Sequence, residues 1–88
     1  MYEYVMAPRF EKVFKKKEPG MQAAILRCIK QLSENPRHPG LHAHRMQGTD
    51  GVWEAYVDDG NRLTFEYQDA TTIVLRNNCN HDMLNRNP

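Results

Sequence analysis

The chain has 88 residues, 40% of them hydrophobic and 26% charged, with a formal net charge of +1. This is the composition of one small globular domain over residues 1–88, and it excludes disorder and the large enzyme barrels. No apolar run could span a membrane, Met1 to Phe10 lacks the apolar core of a secretory signal, and two cysteines, Cys28 and Cys79, make no disulfide framework, so a cytoplasmic protein is expected.

Tyr2 to Met6 reads as a short β-strand. Pro8 suits the first turn of a helix, and Phe10, Val13 and Phe14 at helical spacing carry that helix to about Lys17. Pro19-Gly20 breaks the chain. Met21, Ala24, Ile25, Cys28, Ile29 and Leu32 then form one apolar stripe on a second helix, with Gln22, Arg27, Lys30 and Gln31 facing away from it. The two stretches read as a helical hairpin, and Asn35-Pro36 and Pro39-Gly40 punctuate its exit. From Leu41 the period switches to two. Runs over Leu41 to Met46, Val52 to Val57, Arg62 to Tyr67 and Thr72 to Asn77 are separated by short turn signals, which predicts an antiparallel meander. The order β-α-α-β-β-β-β is that of a small two-layer α+β sandwich, a helical hairpin packed on a mainly antiparallel sheet. Trp53, Ala55, Val57, Leu63, Phe65, Tyr67, Ile73 and Leu75 are expected on the face covered by the helices.

Side chains alternate across a strand, so the residues between those core positions share the other face. They are His42, His44, Glu54, Tyr56, Arg62, Thr64, Glu66 and Arg76, with His81 and Asp82 just beyond the last strand. Imidazole and carboxylate can move protons, and a guanidinium can hold a phosphodiester in planar, bidentate contact. The alternative is an ordinary solvated sheet face with cross-strand ion pairs such as Glu54 with Arg62. Charge along the chain adds a second sign. Residues 1–45 carry nine Lys/Arg against four Asp/Glu, and residues 46–88 carry three against seven. A basic first half points to an anionic partner, nucleic acid or an acidic protein segment, unless it is only a solvated helix face.

The stretch Leu41-His42-Ala43-His44-Arg45-Met46-Gln47-Gly48, followed by Val52-Trp53-Glu54, Asn61-Arg62-Leu63-Thr64-Phe65, Val74-Leu75-Arg76 and His81-Asp82, resembles the RelE/ParE superfamily of bacterial toxins. The resemblance covers nearly the whole chain and rests on the order and spacing of these pieces. It implies a RelE/ParE-like fold and the toxin of a type II toxin–antitoxin pair, with a cognate antitoxin as partner. RelE-like members cut mRNA on the ribosome without a metal, the 2′-hydroxyl attacking the adjacent phosphate. ParE-like members inhibit DNA gyrase and cleave nothing. On the first reading Arg62 contacts the scissile phosphate, His81 protonates the leaving oxygen, and Glu54 or His44 accepts the 2′-proton. Arg45, Arg76, Tyr56 and Asp82 are then candidate substrate contacts. No cofactor is implied.

Of the remaining residues, Cys28 lies in the helix stripe and is expected in the core, and Cys79 has no flanking cationic cluster in sequence. His42 and His44 with His81 and Glu54 could satisfy zinc, but the cupin-type sites that use such a strand pair need more strands than this chain provides. His38 reads as a loop residue and Trp53 as a core residue.

Overall fold

The structure, a computed structural model, describes residues 1–80 and 88. The elements are β1 (Glu3–Met6), α1 (Pro8–Lys15), α2 (Pro19–Glu34), a 3-10 turn (Pro39–Leu41), β2 (His44–Arg45), β3 (Trp53–Asp58), β4 (Asn61–Tyr67) and β5 (Thr72–Asn80). Both helices begin on a proline, where the missing N–H costs nothing and φ is already helical. The second ends before Pro36, whose ring disfavours helical backbone at Asn35. Its Ile25, Cys28, Ile29 and Leu32 are buried, as the stripe predicts. None of the described helices is long and apolar enough to cross a membrane.

The five strands form one sheet in the order β1-β5-β4-β3-β2. Strand β1 lies parallel to β5, and the other neighbours are antiparallel. The helices cover one face. Phe10 from α1 and Ile25, Ile29 and Leu32 from α2 meet Ala55, Leu63, Phe65, Ile73 and Leu75 in the core. Tyr2 N donates to the Ser33 carbonyl at 2.7 Å, and the Ser33 hydroxyl donates back to the Tyr2 carbonyl, which ties the end of α2 to the start of the sheet.

Two expectations are corrected. The strand expected over Leu41 to Met46 shrinks to two residues. Pro39 starts a 3-10 turn there, and His42 takes the left-handed conformation at φ 45°, rare for a residue with a side chain. The last strand instead runs on to Asn80 through a bulge. Thr64 pairs with Asn77 but Phe65 pairs with Leu75, so Arg76 is the extra residue. The bulge flips the alternation beyond it. Asn77 and Cys79 stand opposite Thr64 and Arg62, while Asn78 stands opposite Leu63 and is fully buried. There Asn78 Nδ2 donates to the Phe10 carbonyl at 3.2 Å, while its Oδ1 has no partner.

Candidate active site

The face away from the helices gathers the polar strand residues because the registers align them. His44 pairs with Glu54, Glu54 with Thr64, and Tyr56 with Arg62. Members of a cross-strand pair share a face. Glu54 is the floor of the group, with a side chain only 3% exposed. His44 Nε2 lies 3.7 Å and Arg62 Nε 3.9 Å from its Oε1. A guanidinium and an imidazole thus flank a carboxylate that has lost most of its hydration.

Arg62 is held from several sides. Its guanidinium carbon lies 4.7 Å from the Tyr56 ring centroid. Its Nη1 donates to the carbonyls of Asp58 at 2.6 Å and Asn61 at 2.9 Å. Those carbonyls sit at the tight β3–β4 turn, where Asp58 Oδ1 accepts from Gly60 N and Asn61 Nδ2. The turn therefore aims the arginine, fixing its planar guanidinium on the open face of the sheet. Tyr56 donates its hydroxyl to Asp59 Oδ1 at 2.6 Å, and this bond holds its phenol above the ordinary tyrosine range.

His44 has a side chain 59% exposed, so a substrate can reach it, unlike Glu54. Its Nδ1 lies 3.0 Å from the His42 carbonyl. A carbonyl only accepts, so Nδ1 carries the hydrogen and Nε2 is the basic nitrogen of the neutral ring. The left-handed turn at His42 directs that carbonyl, and the His42 ring meets Tyr56 edge-on at 5.7 Å between centroids. His42, His44, Glu54, Tyr56 and Arg62 line one cavity of about 370 Å³.

The other candidates fall elsewhere. Arg76 Nη1 pairs with Glu66 Oε1 at 2.9 Å on the same open face, and its Nε lies 3.4 Å from the Pro88 backbone oxygen. The buried Thr64 hydroxyl donates to that same oxygen at 2.6 Å. Arg45 pairs with Trp53 and so belongs by register to the opposite face, at the exposed sheet edge. His81 and Asp82 lie outside the described residues. Sequence reasoning missed Asn77 and Cys79, which the bulge at Arg76 brings opposite Thr64 and Arg62. The only sign of it in the sequence is the polar pair Asn77-Asn78, which no simple alternation accommodates. Cys28 is a core thiol whose Sγ donates to the Tyr56 carbonyl at 3.3 Å, and burial pushes it up to about 12. Among the described residues no group of three or more His, Cys, Asp and Glu could hold a metal ion.

The arrangement offers a basic imidazole, a buried carboxylate to stabilise its protonated form, and a fixed guanidinium for an oxyanion. Solved structures with the same architecture are toxins and toxin–antitoxin complexes. The toxin–antitoxin complex RelBE2 from Mycobacterium tuberculosis superposes with a TM-score of 0.75 at 19% identity, over 91% of this chain and 98% of that one. The YoeB/ParE toxin from Agrobacterium tumefaciens gives 0.76 at 12% identity, over 90% and 98%. The YoeB dimer from Staphylococcus aureus gives 0.72 at 15% identity, over 91% and 95%.

The fold is the RelE/ParE-like toxin fold.

No protein-family model and no curated protein matches the sequence. At these identities the likeness carries the architecture, and the chemistry has to be argued from this chain's own residues.

Proposed function

We propose that this chain is the toxin of a type II toxin–antitoxin pair, acting in the cytoplasm as a metal-independent, ribosome-dependent mRNA endoribonuclease and held in check by a cognate antitoxin. The observation that carries the chemistry is the placement of His44 Nε2 and Arg62 around the buried Glu54 on an open sheet face. His44 Nε2 accepts the proton of the ribose 2′-hydroxyl, and the oxygen attacks the adjacent phosphorus. Arg62 offsets the charge gathered on the phosphate oxygens. The bond from phosphorus to the 5′-oxygen breaks, and that oxygen takes a proton from a general acid, the role that the family resemblance gives His81. The products are a 2′,3′-cyclic phosphate and a 5′-hydroxyl. Glu54 is too buried to meet the substrate, so its role is to hold His44 and stabilise the imidazolium as it forms.

Similarity to RelBE complexes supports the antitoxin as partner. A toxin of this fold that instead inhibits gyrase would not need the imidazole on the sheet face. The two are separated by pulse incorporation of labelled methionine and thymidine, minutes after induction in a bacterial host. The endoribonuclease reading predicts that methionine incorporation falls first. An earlier fall in thymidine incorporation refutes it.

A further inference from the structure

Among the described residues, His42 alone combines a side chain with a positive φ, at φ 45° and ψ 38°. A residue other than glycine keeps such a backbone only where its surroundings impose it. Here they do. Leu41 is 1% exposed and anchors the 3-10 turn in the core. Its N–H donates to the His38 carbonyl at 3.0 Å, and the His42 N–H donates to the Pro39 carbonyl at 3.2 Å. At the start of the turn His38 Nδ1 accepts from the Gly40 N–H at 3.0 Å. On the sheet side the His42 ring stands edge-on to Tyr56. Four contacts thus hold a five-residue segment, His38 to His42, in one shape.

The consequence falls on His44. Its Nδ1 lies 3.0 Å from the carbonyl that the left-handed turn presents. Which tautomer a histidine holds is set by the bond its other ring nitrogen makes. We infer that the His38–His42 turn is a positioning device for the site: the His42 carbonyl keeps the hydrogen of His44 on Nδ1 and so frees Nε2 to accept a proton. That is the part the carboxylate plays in a hydrolytic triad, where a third group fixes the tautomer and orientation of the base. Glu54 does not take this part, because it lies on the Nε2 side, 3.7 Å from that nitrogen. It meets the proton only after Nε2 has received it. His42 and His38 are then positioning residues, and neither has to touch RNA. The value of the device for cleavage rests on the endoribonuclease reading, whereas the tautomer can be measured without it.

The chain has four histidines, so comparison with His44→Gln assigns the His44 ring resonances. Nitrogen-15 shifts of the full-length protein, at alkaline pH where an imidazole is neutral, read the tautomer directly. The expected result is a His44 ring with its hydrogen on Nδ1. Two substitutions at His42 both remove the ring but differ in backbone preference. His42→Gly accepts the left-handed turn, so it should keep the tautomer and slow the appearance of new mRNA ends by no more than about threefold. His42→Val opposes the turn, so it should move the His44 hydrogen to Nε2 and slow cleavage about tenfold or more. His38→Ala, at an exposed position outside the Arg62 cavity, should move the tautomer the same way by less. A wild-type His44 with its hydrogen on Nε2 overturns the device. So does a folded His42→Gly protein that loses as much cleavage as His42→Val, which would make the ring the essential part. Should His42→Val not fold, His38→Ala decides, and a tautomer unchanged in it overturns the device as well. A hydrogen on Nδ1 in a protein that cuts no mRNA keeps the hold of the turn on His44 and removes the endoribonuclease reading instead.

Discussion

Replacing Arg62 with alanine should cost about 3 kcal/mol of stability, and about 1–2 kcal/mol of that loss should vanish when Glu54 is neutralised as well. The raw attraction of Arg62 Nε and Glu54 Oε1 at 3.9 Å is about 4 kcal/mol at an effective dielectric of ~20. Desolvation of the pair takes back much of this and leaves a coupling of about 1–2 kcal/mol. The two bonds from Nη1 to the Asp58 and Asn61 carbonyls add roughly 1–2 kcal/mol, and the contact with the Tyr56 ring about 0.5–1 kcal/mol. For a domain of this size, whose whole stability is ~4–13 kcal/mol, that is a large share. Melting should fall by about 4–8 °C for each kcal/mol lost. The assay is urea unfolding followed by the fluorescence of Trp53, which packs on Phe65 at 6.3 Å and should change on exposure. Arg62→Ala, Glu54→Gln and the double variant make a cycle. The double variant should be more stable than the sum of the single losses by about 1–2 kcal/mol, because it leaves no buried carboxylate without its cation. Additivity to within ~0.3–0.5 kcal/mol would refute the coupling. The result also governs how toxicity data are read, since a harmless Arg62→Ala protein that is unfolded says nothing about phosphate binding.

Cys28 makes a pH prediction with a definite sign. Burial raises its thiol from 9.0 to about 12, so above pH 9 the unfolded chain releases a proton that the folded chain keeps. Stability is whole below pH 9 and should fall by about 1.4 kcal/mol per pH unit between pH 9 and 12 from this group. Unfolding midpoints of wild type and Cys28→Ala over that range check it; equal slopes would show that the thiol does not contribute. Asn78→Asp should unfold more easily at pH 7 than at pH 4, since a fully buried site penalises the charged carboxylate and favours the protonated acid. A variant with the same midpoint at both pH values would contradict the burial described for β5.

Much of the architecture was legible because apolar spacing dictates it. The stripe from Ile25 to Leu32 and the alternation of Leu63 with Phe65 each left one way to bury their side chains. The cluster of His44, Glu54, Tyr56 and Arg62 on one face followed from the same alternation. What could not be read were features set by backbone geometry. The left-handed turn at His42 depends on the 3-10 turn begun by Pro39. The bulge at Arg76 depends on the pairing of two strands, and it moved Asn77 and Cys79 to the open face and Asn78 into the core. The sequence also gave no hint that Glu54 would be the buried member of the cluster and His44 the exposed one. That difference decides which of them can meet a substrate.

The most direct test of the account is to map the 5′ ends of cellular mRNA after induction of the wild type and of His44→Ala. His44 is exposed, so its removal should leave the urea midpoint nearly unchanged. The account predicts new 5′-hydroxyl ends in the wild type and a fall of about 10²–10⁴-fold in their rate of appearance in His44→Ala. Undiminished cleavage by a folded His44→Ala protein, or no new ends from the wild type, would contradict it.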